Sequence, residues 1–272
     1  MIKRYFKLYR SYLALAFKTA IAYRADAIIG IIGFLISNII NFYVLKLMIA
    51  PISQITVISS NVTMVWDLNM LMFLYGFILI PKGIDHMLSD DLWGLAGQYI
   101  KQGELDRYLT KPVNLLFQLV AGTFKIDGLG ELILGISFMA IFGPNIAISW
   151  NINNIIPLLL SGFCSIFIFF SVKLFNASLA FFFKRSISLM SSIYSLNEFA
   201  KYPVQLYGKV ISSILIFIIP FSLGCYLPIQ FLIFGGNMWI LLLIIFGVTS
   251  IFLCISIALF NFGLSRYESS GS

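Results

Sequence analysis

Six stretches of the chain, about 27–49, 66–85, 123–143, 155–183, 208–227 and 237–261, are almost wholly apolar. A hydrocarbon core about 30 Å thick takes roughly 20 apolar residues as a helix. Inside it every backbone N–H and C=O must be paired within the segment, so each stretch is read as a membrane-spanning helix. The composition agrees, with 60% hydrophobic and 11% charged residues against about 45–50% and about 25% in soluble domains. Little of the 272 residues is left for a separate soluble domain. The expected fold is an all-α integral membrane protein with one six-span domain over 25–272.

The positions of the basic residues orient these spans. The loops near 50–65, 144–154 and 228–236 hold no Lys or Arg, whereas residues 1–24 and the segments 86–122, 184–207 and 262–272 hold most of them. By the positive-inside rule both termini are expected in the cytoplasm, with Lys46 the one discordant charge, able to snorkel to the interface. Within residues 1–24, Lys3, Arg4, Lys7, Arg10, Lys18 and Arg24 stand without an acid. On a helical wheel Lys3, Lys7, Arg10 and Lys18 share a side opposite Ile2, Tyr5, Tyr9, Tyr12, Leu13, Ala16 and Ala20, as in a helix lying in the membrane surface. A cleaved signal peptide is not expected, because no short apolar core with a small-residue cleavage site precedes the first span. Around Pro220 and Gly235-Gly236, apolar sequence broken by Pro and Gly suits a re-entrant or interfacial turn on the outer face.

Five charges fall within fifteen residues in Gln98-Tyr99-Ile100-Lys101-Gln102-Gly103-Glu104-Leu105-Asp106-Arg107-Tyr108-Leu109-Thr110-Lys111-Pro112. Ser89-Asp90-Asp91 offers helix-capping residues just before it. Gly103 interrupts, and Glu104 to Leu109 reads as a further helical turn that stops before Lys111-Pro112. The segment 89–112 is either a solvated loop that obeys the charge rule or a docking surface for a soluble partner.

Three fragments resemble the ABC-2-type transporter permeases, in particular their small six-span bacterial subgroup. They are Ala22-Tyr23-Arg24-Ala25-Asp26, then Ile100 to Asp106 with Leu109 and Lys111-Pro112, and Arg266-Tyr267-Glu268-Ser269-Ser270-Gly271. Lys111 stands where the family commonly has arginine. The resemblance implies a non-enzymatic permease of an ATP-driven exporter in the bacterial cell membrane, paired with a second permease in a homo- or heterodimer. It implies two separate nucleotide-binding ATPase subunits that carry the ATP and Mg, with no cofactor on this chain. Consistent with that division, the sequence has no Gly-x-x-x-x-Gly-Lys-Ser/Thr phosphate-binding loop. The segment 89–112 would be the coupling helix, with Lys101, Glu104, Asp106 and Arg107 making polar contacts to the ATPase. Leu105 and Leu109 would pack into its groove, and Gly103 would permit the bend.

Charges within the spans carry the other candidate site. Lys125, Asp127 and Glu131 fall in the inner half of span three and Lys173 in span four, with Glu131 about 12 Å and Lys173 about 15 Å deep. Such groups pair or face an aqueous cavity, so Glu131 and Lys173 are expected to meet, as a structural ion pair or as part of a translocation path. An ion-coupled secondary transporter using Lys125, Asp127, Glu131 and Lys173 is the alternative function, although no paired, interrupted spans mark an inverted repeat. An intramembrane enzyme ranks last, for want of His-Glu-x-x-His or a nucleophile with its base. His86 is read as interfacial, Asn61-Val62-Thr63 as a chance glycosylation pattern, and Cys164, Cys225 and Cys254 as small apolar residues. The cargo is open among lipids, hydrophobic peptides and amphipathic drugs.

Overall fold

A computed structural model describes residues 2–49, 54–59 and 62–268; Asn61 and Ser269 to Gly271 lie outside them. The chain is helical almost throughout. Helix α1 (Ile2–Ala22) and α2 (Arg24–Ile49) adjoin at Tyr23, where Tyr23 N–H donates to Thr19 O and Ala27 N–H to Tyr23 O. The wheel read from sequence appears in the burial of α1: Tyr5, Tyr9, Tyr12, Leu13, Ala16 and Ala20 are half-buried, and Lys3, Arg4, Lys7, Arg10 and Lys18 are exposed, as is Arg24. Along α2, Asn38 and Leu45 are the buried residues among those described.

A β-hairpin follows, β1 (Ile55–Ser59) against β2 (Val62–Trp66), with Ile55 opposite Trp66. Its β-branched residues suit strands, though the sequence reading had this segment as an outer loop. Asp67 then caps α3 (Leu68–Ser89) by accepting from Met70 N at 2.8 Å. The segment after α3 contains α4 (Leu92–Gly94) with a π turn over Leu95–Tyr99, α5 (Asp106–Leu109) and α6 (Leu115–Ala121). Helix α7 (Leu129–Phe142) returns antiparallel to α3, and α8 (Ile152–Ser178) runs on through α9 (Ala180–Phe183). We call the end of the bundle that carries residues 89–112 the basic end and the other the hairpin end.

Close backbone contact joins α3 to α7. A Cβ built at Gly76 falls 2.8 Å from Phe138 Cβ and 2.9 Å from the Gly135 carbonyl oxygen, and one at Gly135 falls 2.8 Å from the Gly76 carbonyl oxygen. Small residues are what let helices in lipid approach this closely.

The remainder corrects the span reading. Helix α10 (Ile187–Ser195) begins at the basic end, where Ser186 N–H donates to Ala96 O at 2.8 Å. It continues as 3₁₀ turns over Leu196–Lys201 and Val204–Tyr207. Tyr194 reaches Asp85, Lys201 reaches Asn41, and Val204 packs in one apolar cluster with Val57 and Trp66 of the hairpin. The fifth passage from end to end is therefore 187–207, which its Ser, Asn, Glu and Lys had disguised as a loop.

The stretch read as a span over 208–227 is instead a broken pair. Helix α11 (Gly208–Ser213), extended by a π turn over Ile214–Ile218, meets α12 (Phe221–Phe234) at a bend of 104°. Phe221 stacks by Phe169 at 4.9 Å between ring centroids, part-way along α8, while Phe234 packs on Trp66 at 5.1 Å. The pair thus dips into the bundle from the hairpin end and returns, the re-entrant form that Pro220 suggested. Helix α13 (Met238–Ser265), capped by Asn237, runs back to the basic end. Residues 24–47, 68–89, 126–145, 152–183 and 238–265 form helices long and apolar enough to cross a membrane.

Gly135→Leu, which forces side-chain atoms into the α3–α7 seam, is expected to cost about 1–3 kcal/mol by overpacking. A lowered unfolding temperature of the purified protein in detergent checks this against Gly247→Leu, where a Cβ meets nothing within 4 Å.

Candidate functional site

At the basic end the segment 89–112 is a folded unit with an inner and an outer side. Leu92, Leu95, Ala96, Ile100 and Leu105 are buried in a cluster with Leu174, Ala177 and Phe260 of α8 and α13. Gly103, at φ +72°, makes the turn that carries the chain from the π turn into α5. Asp91 accepts from Tyr99 Oη at 2.5 Å and from Tyr108 Oη at 3.4 Å, and Gln118 donates to the carbonyls of Tyr108 and Val113, each at 2.9 Å. Burial raises the Asp91 carboxyl above its usual range, against the opposing pull of the bonds from Tyr99, Thr123 and Tyr108. Burial also raises the Tyr99 phenol, as does its bond to Asp91.

The outer side presents Lys101, Glu104, Arg107, Leu109 and Lys111, all exposed. Arg107 and Lys111 lie over the Tyr108 ring at 5.4 and 5.5 Å. Two residues expected to meet a partner are occupied within the chain. Leu105 is fully buried in its own cluster, because the turn at Gly103 points it inward. Asp106 accepts from Tyr267 Oη at 3.0 Å, which ties two of the three family-like fragments together at the foot of α13.

The second site is a ladder of charges deeper in the bundle. Lys173 Nζ lies 2.8 Å from Asp85 Oδ2 and 3.7 Å from Asp90 Oδ1, and it donates to Ser89 Oγ at 3.1 Å. Ser89 Oγ and Tyr194 Oη both donate to Asp85, at 2.5 and 3.0 Å. From Asp90 the series passes to His86 at 3.9 Å, to Glu131 at 3.4 Å, to Lys82 at 3.5 Å, to Glu198 at 3.2 Å and to Lys201 at 2.9 Å. Phe34, Lys82, His86, Asp90, Trp93, Glu131, Lys173 and Tyr194 line a cleft of about 370 Å³. Among the described residues no group of three or more His, Cys, Asp or Glu side chains is arranged to hold a metal ion.

The ladder changes the expected partners. Glu131 and Lys173 are both buried but belong to different steps of it, so the anticipated pair between them is not formed. Side chains of α3 and of Asp90 just past its end stand nearer to each: Lys82 and His86 to Glu131, Asp85 and Asp90 to Lys173. Lys125 is exposed on the loop before α7, where its N–H donates to Met87 O, and is not within a span. Asp127 lies in the 3₁₀ turn Ile126–Gly128 at the start of that passage, close against Gly30. Lys82, Asp85, Tyr194, Glu198 and Lys201 are not among the residues expected from the sequence, Asp90 is expected only as a helix cap, and His86 only at the interface. The spacing of Lys82, Asp85, His86 and Ser89 was the available signal, since such positions share a helix face.

A family model described as "ABC-2 family transporter protein" matches residues 55–271 of the chain. The comparisons with curated proteins and with solved structures found no match.

Lys173→Met leaves Asp85 buried without its counter-ion and is expected to destabilise the protein by about 3–5 kcal/mol. Asp85→Asn in the same chain is expected to recover much of that loss, whereas Glu131→Gln is not. Unfolding curves of the single and double variants check the pairing.

Proposed function

The chain belongs to the ABC-2 family of transporter proteins, and from that membership we propose that it is the permease of an exporter driven by a separate ATPase. In this reading it moves a hydrophobic or amphipathic substrate out of the cytoplasm or the inner leaflet. Two copies, or this chain and a second permease, sit on two nucleotide-binding subunits that hold the ATP and Mg. The basic end faces the cytoplasm, in keeping with Lys101, Arg107, Lys111, Lys184, Arg185 and Arg266 near it.

The observation that carries the proposal is the two-sided form of residues 89–112. A solvated loop needs no buried underside, yet five apolar residues of this segment are packed against α8 and α13. A load applied to its exposed side therefore passes into two long helices through close-packed contacts rather than through a slack connection. Lys101, Glu104, Arg107 and Leu109 are the residues we assign to the ATPase contact, with Leu105, Asp106 and Gly103 shaping the segment from within. Tyr5 on α1 accepts from Asn114 N–H at 3.4 Å and packs edge-on to Phe117 at 4.7 Å, so the basic helix is joined to the same unit. With its Lys and Arg exposed, α1 supports a second contact, to anionic lipid headgroups.

The secondary-transporter reading gains no ground from the geometry. Of the four residues it invokes, Lys125 is exposed outside the spans, and Glu131 and Lys173 are held by separate partners.

Glu104→Arg is expected to abolish co-purification of the ATPase and ATP-dependent transport while leaving membrane insertion and thermal stability unchanged, because the side chain is exposed. Affinity capture from membranes, with hydrolysis measured for the captured complex, is the check; retained ATPase and retained transport would sink the contact. Tyr267→Phe, which loses the bond to Asp106, is expected to keep the ATPase bound but lower transport per ATP hydrolysed.

A further inference from the structure

The outward side of the fifth passage holds a cleft of about 400 Å³ lined by Glu198, Phe199, Lys201, Tyr202, Leu206 and Tyr207. Its depth follows from its neighbours. Glu198 is bonded to Lys82, about two turns before the end of α3, and Lys201 Nζ lies 5.7 Å from the ring of Tyr75, about two turns after its start. Glu198 and Lys201 therefore stand at mid-height of α3, at the level where a charge is costly to expose to lipid tails, and the cleft runs from there toward the hairpin end, where Val204 packs with Val57 and Trp66.

Exposure within the cleft is uneven. The Glu198 side chain is 41% exposed, whereas its partners Lys82 and Lys201 are 17% and 10% exposed. Both lysines approach from the bundle side: Lys82 also serves Glu131 at 3.5 Å, and Lys201 also reaches Asn41 at 3.4 Å. Both are more deeply buried than the carboxylate they pair with. Around it stand aromatic rings, Phe199 and Tyr207 edge-on at 5.2 Å, with Tyr207 fixed by its bond to the Phe199 carbonyl oxygen at 3.0 Å. A visitor from outside the bundle meets the exposed Glu198 carboxylate and the rings of Phe199 and Tyr207, which attract positive charge; Lys201 also lines the cleft, its ammonium 5.8 Å from the Tyr202 ring. The volume suits the head of an amphiphile rather than a whole chain.

We propose that this cleft binds the cationic head of an amphiphile with a bulky apolar body, and so selects organic cations as cargo. The proposal rests on reading the chain as a permease. Glu198 supplies the counter-charge, and the rings of Phe199 and Tyr207 stand beside it.

Tetraphenylphosphonium and tetraphenylborate have nearly the same shape and opposite charge, and they serve as the probes. Titration calorimetry of the full chain in detergent is expected to give saturable binding of the phosphonium and none of the borate. Glu198→Gln is expected to weaken the phosphonium by about tenfold or more, and Tyr207→Leu by about threefold. Absence of phosphonium binding to the unaltered chain, or equal affinity for the two ions, overturns the proposal. So does an unchanged phosphonium isotherm in a Glu198→Gln protein that unfolds at the temperature of the parent. Should Glu198→Gln not fold, an unchanged isotherm in Tyr207→Leu overturns it alone. Capture of an ATPase by a chain that ignores the phosphonium removes the cation site and leaves the exporter; phosphonium binding by a chain that captures no ATPase does the reverse.

Discussion

An ion taken into an apolar bundle must find its counter-ion there, and the arrangement of α3, α7, α8 and the fifth passage depends on that demand. Lys82, Asp85, His86, Ser89 and Asp90 follow one another along one side of α3, and each neighbouring element answers with a group at the matching height: Lys173 from α8, Glu131 from α7, Tyr194 and Glu198 from 187–207. Buried pairs roughly break even against apolar residues of the same size. What the series contributes is rotation and register. Turning α3 by one residue would swing several charges away from their partners at once, a penalty that no slide of Leu against Leu imposes.

The same elements are locked from behind by backbone contact. Gly76 and Gly135 bring α3 and α7 together, and Ser165 donates to the Gly224 carbonyl oxygen at 2.7 Å where α12 leans on α8. The basic end is built differently, from side chains of Leu and Ala that seat residues 89–112 on α8 and α13. Stiffness in the middle and a broad apolar seat at the end are the properties a shaft and its handle need. In our reading the ATPase works on the handle.

The long spans were legible because hydropathy integrates over many residues, and at five passages the few charges are outweighed by the apolar residues around them. The basic face of α1 and the stop at Lys111-Pro112 were legible for a similar reason, since each follows from local geometry. Two classes of feature were hidden. The fifth passage is short of apolar residues because Glu198 and Lys201 have partners inside the bundle, and a window of hydropathy cannot know that a charge is answered by another helix. The partner choices of Lys173 and Glu131 were hidden likewise. Depth along two helices says that groups are level, but not that Asp85 and His86 stand between them. Leu105 was misread because a positive φ at Gly103 decides which way the next residues point, and sequence names the glycine without naming the direction.

The hairpin formed by α11 and α12 enters and leaves by one face, so it contributes two half-journeys and no change of side. The parity of the chain is settled elsewhere, by the polar stretch 187–207 that a hydropathy plot discounts. Counting residues 208–227 as a crossing and 187–207 as a loop yields the same even total as counting 187–207 as the passage and the bent pair as a return. Glu198, Tyr202 and Gln205 then belong to a passage through the bundle rather than to a loop at its basic end. A region that is silent in the bookkeeping of topology is thereby free to vary in length and shape, while the less oily passage beside it is not.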